Sequence, residues 1–307
     1  MTEPLTVGLD VGATKTLGVA LGPDGSVLAQ ERVATEPGRE GVIATTAGVV
    51  ETLRRATGYA RPTMVGLGMP GLVDAGRGAV RHAVNLGVDG DWFPVGDMLA
   101  DRIGVPVAVE NDVNVAALGA RALSASDDLV YLAIGTGLAA GLVLDGVLRR
   151  GGHGAAGEIG HVPVDPEGAR CGCGQRGCLE TVASGSALAA AWPSQGVASA
   201  QSVFAAAEDG DVRAVSVRDR FAGGVAEAVR LLALAVDPDT IVLGGGVSHL
   251  GEPLRVHVAA ALAAQAASSP FLASLDLSRR LSVVPAGYPI AAIGAAMLDL
   301  PKPAEAP

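Results

Sequence analysis

Three observations predict an α/β protein built from two similar halves. The run LTVGLDVGATKTLGVALGPDGSVLAQERVA and the later run DDLVYLAIGTGLAAGLVLDGVLRRGG both read as strand, turn, strand, turn, strand. A DG pair marks a turn in each, at Asp24 and Gly25 and again at Asp145 and Gly146. Helical periodicity then alternates with short apolar runs after the first device, which implies helices crossing between parallel strands. With 307 residues and 49% hydrophobic content, the chain can supply a core to each of two domains.

Taken in order, the first strand ends in a loop carrying Asp10, Gly12, Thr14 and Lys15. A carboxylate, a flexible backbone and a hydroxyl there suit a phosphate with its Mg2+. The spacing is not that of a P-loop, and a tight hairpin with a surface lysine explains the same residues. Apolar positions Val42, Ile43, Val49, Val50 and Leu53 predict a helix over 38–57, and MVGLGMPGLVD reads as a buried strand entering a glycine-proline loop. In and after that loop, Gly71 lets backbone approach a ligand and Asn85 offers an amide, with a plain turn as the alternative.

The segment DWFPVGDMLADRIG predicts a second helix, with Trp92 and Phe93 packing at its start. A strand over 106–110 then leads to Glu110, Asn111 and Asp112 before an alanine-rich helix. Polar residues at the carboxyl end of a strand are where α/β sheets bind ligands, although Asp112 at a helix start also reads as a cap. In the second device the turn is Gly135, Thr136 and Gly137. Helical stretches are expected at 184–192, 201–207, 211–236 and 252–266, and near 291–298. The buried strand in DTIVLGGGVS ends in Gly244, Gly245 and Gly246, a side-chain-free backbone that suits a nucleotide or serves as a simple loop. A further strand, LSVVPAG, and a frayed tail, PKPAEAP, complete the chain.

All three cysteines fall in GEIGHVPVDPEGARCGCGQRGCLE, residues 157–180. His161, Cys171, Cys173 and Cys178 form a Cys3His set that suits tetrahedral Zn2+, and the intervening glycines let C-x-C and C-x4-C spacings converge. An odd number of cysteines in a chain of this length argues against a disulfide framework. Glu158 and Glu180 flank the ligands, so a metal would fix two carboxylates beside it, which suggests a polyol site. His82, His153, His249 and His257 lack partners at meaningful spacing and read as surface or supporting residues.

Composition narrows the function classes. A net charge of -10 argues against nucleic acid or anionic membrane as partner. Every long apolar run is interrupted before the ~18 residues of a membrane span, and MTEPLTVGLD lacks a basic region followed by an apolar core. The expectation is therefore a cytoplasmic protein without a signal peptide, in agreement with reduced, metal-binding cysteines.

The signals DVGATKT, GTG and LGGG across two repeated halves resemble the actin-like, ribonuclease H-like ATPase fold, two α/β domains with a cleft between them. With END at 110–112 and GEIGH…CxCGxxGCLE, essentially the whole chain resembles the ROK family of sugar kinases and sugar-responsive repressors. The resemblance implies a smaller N-terminal domain over 1–113, completed by a C-terminal helix at about 291–307, and a larger domain over 114–290 carrying the cysteines. It implies Asp112 as catalytic base, and Asn111, Glu158, His161 and Glu180 as sugar contacts beside Gly71 and Asn85. It places phosphate and Mg2+ contacts at Asp10, Gly12, Thr14 and Lys15, with Gly135, Thr136 and Gly137 on the phosphates and Gly244 and Gly245 nearer the nucleoside.

The expected activity is ATP-dependent phosphorylation of a hexose at its C6 hydroxyl, glucose first, by a homo-oligomer holding a structural Zn2+. An N-acetylhexosamine or fructose kinase is the alternative, and polyphosphate is a second donor to consider. A repressor is disfavoured because such proteins carry an N-terminal winged helix-turn-helix, whereas the phosphate loop here starts at Asp10. Two departures are visible: Ala13 stands where the family commonly has glycine, and Leu138, Ala139 and Ala140 follow GTG in place of a glycine-rich run. Loss of the zinc is expected to weaken sugar binding and to leave nucleotide affinity in place.

Overall fold

The computed structural model describes residues 5–58, 61–194 and 199–300. The tail PKPAEAP, expected to fray, lies outside the described residues. The chain divides into two compact units, the first comprising 1–123 with 289–307 and the second 124–288.

In the first unit, β1 (Thr6–Val11), β2 (Lys15–Leu21) and β3 (Val27–Ala34) form an antiparallel meander. Helix α1 (Arg39–Thr57) buries Val42, Ile43, Val49, Val50 and Leu53, the stripe its sequence period specifies. It returns the chain to β4 (Met64–Met69), which lies parallel to β1 with Thr6 opposite Met64. A small hairpin of β5 (Leu72–Asp74) and β6 (Ala79–Arg81) follows, then α2 (Val95–Ile103), β7 (Val107–Asn111) parallel to β4, and α3 (Asp112–Ser124). The sheet order is β3-β2-β1-β4-β7. Helix α2 begins only after Pro94, because Phe93 is held in an isolated bridge to Val80 with its ring fully buried.

The second unit repeats this plan. β8 (Leu129–Ile134), β9 (Leu138–Leu144) and β10 (Val147–Leu148) form the meander. The cysteine segment leads to α4 (Glu180–Ala183), α5 (Gly185–Ala191), α6 (Ser199–Glu208) and α7 (Val212–Val236). The helix expected over 184–192 is α5, and Ser184 caps its start by accepting from the Ala187 N–H, which separates it from the short α4. β11 (Thr240–Gly244) runs parallel to β8, and α8 (Glu252–Ala266), α9 (Pro270–Ser274) and β12 (Leu281–Val283) complete the order β10-β9-β8-β11-β12. Two sheets of matching order and direction carry the duplication visible in the sequence.

The chain ends on the first unit, where α10 (Ile290–Ala296) packs across β1 and β4. Side-chain-free positions allow it: a Cβ at Gly8 would lie 1.9 Å from the Ala292 carbonyl oxygen, and one at Gly66 would lie 1.7 Å from that of Ala295. Helix α3 packs equally closely on α10, with Gly119 against the Ile290 carbonyl and Gly294 against that of Val115. The unit boundary therefore falls after α3 rather than before it. Among the described residues, no helix is long and apolar enough to cross a membrane.

Candidate active site

In the first unit, the carboxyl ends of β1 and β7 bring two acids together. Asp10 is pushed up to about 6 by burial, with Lys15 acting in the opposite sense. Asp112 is also pushed up to about 6, mainly by burial and further by the negative charge of Asp10, while hydrogen bonding to the Val113 N–H opposes the rise. The turn between β1 and β2 is closed by the Gly12 N–H donating to the Lys15 carbonyl at 3.0 Å and is fixed from behind by Thr35, whose hydroxyl donates to the Gly12 carbonyl at 2.8 Å. Thr14 and Lys15 are exposed at its tip.

The start of α3 is capped by two side chains. Asn111 Oδ1 accepts from the Val113 N–H at 2.9 Å and more weakly from Asn114 at 3.4 Å, so Asn111 shares the cap with one oxygen of Asp112. Behind them Glu110, 2% exposed, accepts from the Asn111 N–H at 2.8 Å and from the Asn114 amide at 2.9 Å. Glu110 is the positioning group that the sequence reading passed over. Asn111 also reaches the Gly71 carbonyl at 3.4 Å, and Gly71 takes a φ of 97° that disfavours any side chain. Asn85 lies exposed in a short helical turn, Val84–Leu86.

In the second unit, His161 Nδ1 faces Cys171 Sγ at 3.7 Å, and Cys173 and Cys178 place their sulfurs 3.7 Å apart. The four ligand atoms all lie within 4.8 Å of one another. A tetrahedral ion with Zn–S of about 2.3 Å and Zn–N of about 2.05 Å requires ligand-to-ligand edges of about 3.6 to 3.8 Å; two of the six pairs stand at 3.7 Å and all lie within 4.8 Å, so a small closure of the cluster would seat zinc. A disulfide, with sulfurs about 2.05 Å apart, is not what these atoms form. Gln175 donates to the His161 carbonyl at 3.0 Å and approaches Cys173 Sγ at 3.4 Å, tying the loop across the cluster. The other ring nitrogen, His161 Nε2, lies 3.7 Å from Glu158. The turn at Gly135, Thr136 and Gly137 is closed by the Gly135 N–H donating to the Gly137 carbonyl at 3.0 Å, with Thr136 exposed.

The ROK family model matches residues 6–299. The chain belongs to the ROK family. It is 37% identical over 281 residues to a glucokinase of Halalkalibacterium halodurans, covering 83% of this chain and 84% of that protein. The structure of a ROK hexokinase from Thermus thermophilus superposes with a TM-score of 0.79 at 33% identity, over 95% of this chain and 97% of that one. A ROK glucokinase from Streptomyces griseus, solved with glucose and AMPPNP, gives 0.76 at 31% identity, over 95% and 98% of the two chains.

In this ROK protein the glycines after β11 have a packing reason for being glycine. A Cβ at Gly244 would lie 2.2 Å from the Tyr131 hydroxyl, and one at Gly245 would lie 2.6 Å from the Ile134 carbonyl. Only Gly246 of the three faces open space. The Gly245 N–H donates to the Tyr131 hydroxyl at 3.1 Å, so that backbone is anchored to β8 rather than left bare. Of the histidines read as unpartnered, His82 meets Asp89 at an exposed 3.2 Å contact, and His257 packs edge-on to Phe204.

Proposed function

We propose that this chain transfers the γ-phosphoryl group of ATP to the C6 hydroxyl of a hexose, with glucose as the first acceptor to test. The observation that carries the reading is Asp112, a carboxylate raised to about 6 at the junction of β7 and α3. A hydroxyl is a poor nucleophile, and an acid near 6 is a better proton acceptor than one at 3.8 while remaining ~90% ionised at pH 7. Asp112 takes the hydroxyl proton as the oxygen attacks phosphorus in line and the ADP oxygen leaves. Asn111 orients the acceptor through its amide, which the Gly71 carbonyl steadies. Glu158, His161 and Glu180 supply further acceptor contacts, and Thr136 with the Gly135 and Gly137 backbone supplies donor contacts.

Two metal ions fit the residues present. Asp10, a buried carboxylate beside a second acid, suits Mg2+, which when bound would neutralise charge on the nucleotide phosphates. His161, Cys171, Cys173 and Cys178 suit Zn2+ in a structural role, because four protein ligands leave no open position for water. That assignment uses Nδ1 of His161 and leaves Nε2 for a sugar hydroxyl.

The test is a coupled ADP-release assay with Mg2+ over glucose, mannose, fructose and the N-acetylhexosamines, with ATP and then polyphosphate as donor. Product formation would be read directly for the polyphosphate arm. Turnover on glucose with ATP supports the reading, and no turnover on any sugar with either donor removes it.

A further inference from the structure

The chain on both sides of the cysteine cluster grips the GTG turn. Upstream of His161, the Gly157 carbonyl accepts from the Ala140 N–H at 2.8 Å. Gly160 lies so close to β9 that a Cβ there would be 2.1 Å from the Leu138 carbonyl oxygen. Downstream of Cys178 the chain touches the turn at three successive points. Glu180 Oε2 accepts from the Leu138 N–H at 3.1 Å, the Gly185 N–H donates to the Gly135 carbonyl at 2.7 Å, and the Ser186 N–H donates to the Thr136 carbonyl at 3.3 Å. The other oxygen of Glu180 lies 3.9 Å from Cys171 Sγ. A Cβ on Gly137 would fall 2.4 Å from Glu180 Oε2, so the carboxylate occupies the space a side chain would need there.

We propose that Glu180 is a positioning residue for the phosphoryl donor, one that sets the GTG turn through the Leu138 N–H and ties donor affinity to the cysteine segment. The inference rests on the kinase reading and adds to it a role that the acceptor assignment of Glu180 does not contain. A backbone turn that binds phosphate must hold its N–H groups in fixed directions, and a side-chain oxygen on the Leu138 N–H serves that purpose. The geometry needs an oxygen at that distance from the backbone, and it does not need the charge. A glutamine keeps the oxygen, whereas aspartate keeps the charge but is one methylene too short. Disturbing the cysteine segment should therefore weaken nucleotide binding as well as sugar binding, contrary to the expectation drawn from sequence.

The test uses the full, zinc-loaded chain without sugar. Binding of Mg·ADP is measured by calorimetry, and amide exchange is followed at Leu138, for wild type and for Glu180→Ala, Glu180→Asp and Glu180→Gln. The expected result is roughly tenfold weaker ADP binding and faster Leu138 exchange for the alanine and aspartate variants, about 1.4 kcal/mol. The glutamine variant should stay within about twofold of wild type on both readouts. If Glu180→Ala fails to fold, the contrast between aspartate and glutamine carries the test alone. Unchanged ADP affinity in Glu180→Asp overturns the proposal, as does an equal loss in the aspartate and glutamine variants. A wild-type protein that binds no Mg·ADP overturns this inference, while the kinase reading itself stands or falls on the turnover assay.

Discussion

Replacing Asp10 with asparagine should make the protein more stable and less active. Asp10 rises from 3.8 to about 6 because burial disfavours its charge more than Lys15 favours it. A folded-state value above the unfolded one means that the native state holds its proton more tightly, so stability falls as pH rises from about 4 to about 6. The full loss above pH 7 is about 3 kcal/mol for one such carboxylate. Asparagine removes that charge and also its repulsion on Asp112, at nearly unchanged volume. Without added Mg2+, the variant should melt several degrees higher than wild type at pH 7.5, at roughly 2 to 4 °C per kcal/mol for a domain of this size. The gain should shrink to about 0.6 kcal/mol at pH 4, where Asp10 is protonated in the folded chain and about 40% protonated in the unfolded one. Differential scanning calorimetry at the two pH values measures it. A variant that melts at or below the wild-type temperature at pH 7.5 would refute the argument that these acids are held together against their own charge.

The same pair sets the pH dependence of turnover. kcat/KM for the hexose should fall about tenfold per pH unit below about 6, and the limb belongs to Asp10 and Asp112 jointly. A rate that stays flat to pH 5 would separate Asp112 from proton transfer. Metal analysis of purified protein should find about one zinc per chain. Cys178→Ser, which replaces a fully buried ligand, should lose the zinc and lower both the melting temperature and hexose affinity; a variant that retains zinc and stability would contradict the Cys3His assignment.

Much of the architecture was legible because it repeats. Apolar runs punctuated by glycine turns and the two DG pairs specify the meanders, and the stripe from Val42 to Leu53 specifies α1. The cysteine segment was legible because ligand type and spacing constrain it jointly. What escaped has physical causes. β5 and β6 are three residues each, too short for alternation to register. Pro94 delays α2 past the aromatic pair, since a bridge to Val80 outcompetes helix there. Glu110 sits in a polar triplet that reads as strand-end surface, and only the fold shows it buried with two donors around it. Gly244 and Gly245 read as either a nucleotide contact or a loop, and the fold adds a packing reason for glycine at each, the nearness of β8 in the same sheet. Absence of a side chain in sequence does not tell which neighbour needs the room.

The central claim is that Asp112 accepts the acceptor's proton, and Asp112→Asn tests it most directly. The amide keeps an oxygen for the Val113 N–H, and Asn111 holds the same donor, so the fold and the sugar contacts should persist. The measurement is kcat by ADP release, set beside glucose affinity by calorimetry on the same preparation. The account predicts a fall in kcat of ~10²–10⁴-fold with glucose affinity within a few-fold of wild type. A variant that turns over glucose within tenfold of the wild-type rate would contradict it.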